Sequence, residues 1–93
     1  MSPASFPRVD RDTQRSRDGD RRRILEDELK AEEDRLARLR TEYNNGEPEK
    51  LGPETRNYQK YLDRVALLKA SIARNEVDIE GLRRELSRLT ASK

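Results

Sequence analysis

Ninety-three residues, 43% charged and 31% hydrophobic, with one Phe, one Met and no Trp, cannot fill a globular core of ordinary thickness. Lys and Arg number 21 against 19 Asp and Glu, a net +2 with both signs interspersed, so bulk charge does not imply a nucleic-acid partner. Cys and His are both absent, which excludes disulfides, thiol catalysis, the usual zinc sites and imidazole acid–base chemistry.

What remains open to such a chain is long helices packed along a narrow seam, or disorder, and periodicity decides between them. Residues 1–11 hold Pro3 and Pro7 and no apolar spacing, and are expected to be a flexible tail. A helical hairpin is expected over 12–91. In the charged stretch that opens it, Asp10, Asp12, Asp18 and Asp20 are all capable N-caps. Gly19 costs a helix about 1 kcal/mol relative to Ala, so helix one starts either near Asp12 or at Asp20.

Helix one is expected over about 12–44. Leu25, Leu29, Glu32, Leu36, Leu39 and Tyr43 recur at alternating intervals of 4 and 3, a heptad seam with a polar residue at Glu32 that is expected to sit where the helices splay or to reach solvent. Glu26/Lys30 and Asp34/Arg38 are acid-before-base pairs spaced to support the exposed side. Asn44, Asn45 and Gly46 supply left-handed residues that end a helix, and 45–52 reads as a loop. Gly52 and Pro53 are expected to be the N-cap and first-turn proline of helix two, over about 53–90, with Glu54 set against its dipole.

Helix two carries the strongest periodicity. Tyr58, Tyr61, Val65, Leu68, Ile72, Asn75, Ile79, Leu82, Leu86 and Leu89 alternate 3 and 4 without a slip. A loop of this length returns the chain antiparallel. The fold class is therefore all-α: an antiparallel coiled-coil hairpin whose seam also takes Leu25, Leu29, Leu36, Leu39 and Tyr43 from helix one. Asn75, among aliphatic neighbours, is expected to control register.

A single thin seam gives marginal stability, for which oligomerisation is the usual remedy. Helix two offers a second stripe away from the seam: Leu62, Ala66, Ala70, Ala73, Val77 and Gly81, spaced 4, 4, 3, 4 and 4. A homodimer of hairpins with the second helices central follows as an expectation, with an unidentified protein partner engaging the charged faces.

No paired carboxylates, nucleophile with base, or phosphate-binding glycine loop is present, so no catalytic, cofactor or metal site is expected, and no enzymatic activity. Seven arginines (Arg8, Arg11, Arg15, Arg17, Arg21, Arg22 and Arg23) stand among four aspartates with no aromatic residue interleaved for base stacking. They read first as a solvated charge run; an arginine-rich nucleic-acid-binding or RNA polymerase accessory hairpin is the alternative. The acidic tip (Glu42, Glu47, Glu49 and Glu54) resembles the hairpin factors of bacterial RNA polymerase in shape, without their tip motif. No apolar run suits a membrane span or a signal peptide, so no membrane insertion is expected. A soluble protein follows, cytoplasmic if the chain is complete and periplasmic or envelope-located if it is excised from a secreted parent.

FPRVD, DRRRILEDEL, RNYQKYLDRV and IARNEVDIEGLRREL resemble the C-terminal helical region of an uncharacterised proteobacterial family. Some of its members carry a secretion signal and a small cysteine-containing domain ahead of that region. The resemblance covers most of the chain and implies a coiled-coil architecture and an envelope location. It brings no activity and no catalytic residue.

Overall fold

A computed structural model describes residues 11–91. Helix α1 runs Arg11–Tyr43 and helix α2 runs Tyr58–Ala91, joined by short 3₁₀ turns at Asn44–Gly46 and Gly52–Thr55. The two helices pack side by side and antiparallel. Going up α1, Arg21 meets Glu85, Glu32 meets Asn75 and Glu42 meets Arg64, so partners descend along α2. At about 1.5 Å per residue, each arm is about 50 Å long. No described helix is long and apolar enough to cross a membrane.

The N-terminal tail and the possible cap at Asp10 lie outside the described residues. Within them, α1 starts early and runs unbroken through Gly19. Its first turns are exposed, because at this register Asp18 is already level with Leu89 and the start of α1 reaches past the described end of α2.

The seam is where heptad spacing puts it, and it is thin. Leu25, Leu36, Leu68 and Ile79 are buried, Leu29, Leu39, Tyr43, Tyr61, Val65, Ile72, Leu82, Leu86 and Leu89 are half-buried, and among the described residues no side chain falls below 2% exposure. The same spacing continues upstream of Leu25 to half-buried Arg22 and Asp18, where the seam turns polar. Tyr58 departs from the expected pattern at 59% exposure. Opposite it lies loop rather than helix, so it has no seam partner; its ring stacks on Tyr61, with centroids 5.9 Å apart.

Two local expectations are corrected. Helix α2 begins at Tyr58, not Pro53: Gly52, Pro53 and Glu54 form a separate 3₁₀ turn, and the Asn57 carboxamide oxygen caps α2 by accepting from the Lys60 N–H at 3.2 Å. Neither Glu26/Lys30 nor Asp34/Arg38 comes within ion-pair distance; Glu80 and Arg84, at 3.9 Å, make the i,i+4 contact among the described residues. Exposed pairs of long side chains gain little from fixing their geometry, which suits their staying apart. The left-handed turn is as expected, with φ of 46°, 56° and 90° at Asn44, Asn45 and Gly46.

Candidate functional site

Three features stand out: a latched tip, a buried polar pair midway along the arms, and the outward face of α2.

At the tip, Arg64 on the first turns of α2 reaches back across the loop. Its Nε donates to Glu54 Oε2 at 2.6 Å and its Nη2 donates to Glu54 Oε1 at 3.0 Å, a bidentate fork. Nη2 also donates to the Glu49 carbonyl at 2.6 Å, and Nη1 donates to Glu42 on α1 at 3.4 Å. Glu54 is only 6% exposed, and its carboxylate also accepts the Leu51 N–H at 2.9 Å, satisfying the start of the 3₁₀ turn. The hydrogen bonds from Arg64 and Leu51 hold the Glu54 carboxyl below its ordinary pKa of 4.5, outweighing the opposing effect of desolvation. The same fork raises Arg64. Tyr61 adds a second tie, its hydroxyl donating to the carbonyl of buried Pro48 at 2.7 Å. Lys50 Nζ lies 5.3 and 5.4 Å from the Tyr58 and Tyr61 ring centroids, within cation–π range. The loop is thus held by side chains from both arms. Sequence reasoning missed Arg64, which has no motif around it; the acidic tip residues were its only signal.

Midway along the arms, the two polar interruptions of the seam meet. The Asn75 carboxamide nitrogen donates to Glu32 Oε2, so Glu32 does not turn wholly to solvent as expected. A polar residue on each arm at matching height was the available signal. Asn75 is 3% exposed, and its Oδ1 is buried without a hydrogen-bond partner. Glu33–Arg83 at 2.9 Å and Arg40–Glu76 at 3.8 Å bridge the arms nearby, both exposed.

The outward face of α2 is uncovered. Leu62 is 42% exposed and Val77 63%, Ala66, Ala70 and Ala73 are exposed, and Gly81 is half-exposed. A Cβ built on Gly81 would meet nothing within 4 Å, so nothing in the hairpin requires glycine there. At the open end, Arg11, Arg15, Arg17, Arg23 and Arg88 are exposed and make no ion pair among the described residues. Among those residues no group of three or more acidic side chains is placed to hold a metal ion. The described surface presents exposed apolar area, charge and a loop tied to both arms.

No protein-family model matches the chain, and neither a curated protein nor a solved structure resembles it significantly.

Proposed function

We propose that the chain is a non-enzymatic protein–protein interaction module, a coiled-coil hairpin that self-associates through α2 and presents its charged faces and tip to a protein partner. The observation that carries this reading is the uncovered apolar face of α2, with Val77 63% and Leu62 42% exposed, on a hairpin whose own seam buries only four apolar residues. Fully burying an aliphatic side chain contributes ~1.5–3 kcal/mol, against ~1–2 kcal/mol of backbone entropy per ordered residue, so more apolar burial is what the hairpin lacks. Covering a second face supplies it.

Sedimentation equilibrium tests the reading. The wild-type chain is expected to be a dimer at micromolar concentration, and Ala70→Glu with Ala73→Glu to be a monomer that keeps its helicity. A wild-type chain that sediments as a folded monomer refutes it.

The exposed arginines at the open end, which make no ion pair among the described residues, favour a second reading, in which that end binds a polyanion such as nucleic acid. Binding of that kind weakens steeply with added salt, so a complex absent at low salt removes it.

A further inference from the structure

The interaction-module reading leaves the chemistry of the protein partner open. We propose that the open end of the hairpin is a docking site for an acidic helix of a partner protein, whose carboxylates are taken by Arg15 and Arg22 on the first turns of α1. This rests on the interaction-module reading and names the partner chemistry for one of its charged faces.

The seam does not stop where its apolar residues do. Upstream of Leu25, intervals of 3, 4, 3 and 4 lead to Arg22, Asp18, Arg15 and Arg11, the same spacing that packs a helix further along α1. Three of these four positions carry guanidinium groups, and what α2 brings to that height is half-buried Leu86 and Leu89. Arg15 and Arg22 are seven residues apart, about 10.5 Å along the helix. A second helix lying alongside repeats a side chain at that same distance, one heptad on.

These guanidinium groups are not neutralised among the described residues. Asp18 stands between Arg15 and Arg22, yet it accepts from the Gln14 carboxamide at 3.0 Å and makes an ion pair with neither. Glu85 is taken by Arg21 at 2.5 Å, and Asp12 and Asp20 fall outside the seam spacing. Arg22 is half-buried, and its Nε is buried with no hydrogen-bond partner. A buried charged donor calls for an acceptor, and a carboxylate offers two oxygens in the geometry of the guanidinium fork. The Arg64–Glu54 fork at the tip shows that pairing satisfied within the chain.

Composition narrows the partner. Residues 11–23 and 81–91 together carry nine arginines, no lysine and four acidic residues. Arginine throughout suits bidentate recognition of oxyanions, whereas lysine acts as a point charge. A nucleic acid fits this end less well than an acidic helix does. The open end has no aromatic side chain for base stacking. The basic stretch of α1 also ends abruptly, at exposed Glu26, Asp27 and Glu28, which repel a phosphate backbone running on along the arm. Two carboxylates one heptad apart reach Arg15 and Arg22 without passing them.

Fluorescence anisotropy with the full chain tests the site. The probe is a labelled synthetic helical peptide with glutamates one heptad apart and leucines at the intervening seam positions. Its companions are a peptide of the same composition with the glutamates out of heptad spacing, and a labelled single-stranded oligonucleotide of equal charge. The heptad peptide is expected to bind. Arg15→Gln and Arg22→Gln, each checked for wild-type helicity, are each expected to weaken it about tenfold or more, the loss of one charge-assisted contact. Arg17→Gln and Arg23→Gln remove the same charge outside the seam spacing and are expected to change binding less than about twofold. Equal losses from all four variants overturn the site, because bulk charge alone would then be acting. Equal binding of the out-of-spacing peptide overturns the helical match, and tighter binding of the oligonucleotide overturns the choice of partner. Sedimentation of the same samples separates this proposal from the reading beneath it. No binding by a chain that sediments as a dimer overturns the docking site alone; no binding by a monomer removes the self-association reading as well.

Discussion

Replacing Asn75 with leucine is expected to stabilise the hairpin, although it breaks the hydrogen bond between the arms. Asn75 is 3% exposed with its Oδ1 buried and unpaired, and it sits between Leu68 and Ile79, exposed 7% and 3%. Asn75→Leu removes the unpaired oxygen, worth about 1–3 kcal/mol, and buries an aliphatic side chain, worth about 1.5–3 kcal/mol. It loses a hydrogen bond to a charged group, about 1.5–3 kcal/mol, and half-buried Glu32 can turn its carboxylate to water. The balance is a gain of about 2 kcal/mol, which for a chain of this size raises the melting temperature by about 8–16 °C. Far-UV circular dichroism during heating reads it, at one protein concentration because self-association adds to apparent stability. A companion double variant, Glu32→Leu with Asn75→Leu, closes a thermodynamic cycle and gives the coupling between the two. A melting temperature below wild type for Asn75→Leu would refute the reasoning, because the polar pair would then be a net stabiliser of the seam.

Gly19 lies exposed inside α1 with nothing within 4 Å of an added Cβ, so Gly19→Ala is expected to stabilise the folded chain by about 1 kcal/mol in denaturant titration. No gain would mean that the start of α1 is not helical when the rest unfolds. The lowered pKa of Glu54 gives a pH signature: its contribution is complete above the ordinary value of 4.5 and is lost as pH falls through the lowered one. Glu54→Gln is therefore expected to melt below wild type at neutral pH, with the gap closing as wild type is acidified below 4.5; a gap constant with pH contradicts the Arg64 fork.

The arms were legible because heptad spacing depends only on which residues are apolar, and Leu25, Leu36, Leu68 and Ile79 are buried where that spacing puts them. The left-handed turn was legible for a local reason, since Asn44, Asn45 and Gly46 tolerate positive φ where other residues do not. The tip was not. Pro53 after Gly52 suits the first turn of an α-helix and of a 3₁₀ turn equally, and Arg64, ten residues further on, decides between them by pulling Glu54 inward. Tyr58 was misplaced because a heptad pattern has no term for where the facing helix stops. The Glu32–Asn75 contact needed the pairing of the arms, which the spacing within either helix does not contain.

The polar stretch of the seam has a mechanical consequence. Both ends of the hairpin lie together, so tension applied across them peels the arms apart one heptad at a time instead of sliding them past each other. The first rungs to part are Asp18 and Arg22, where little apolar area resists. Resistance rises at Leu25, dips at Glu32 and Asn75, rises again at Leu36, and ends on the arginine latch at the tip. The hairpin is a graded zipper, weakest where a load would first reach it.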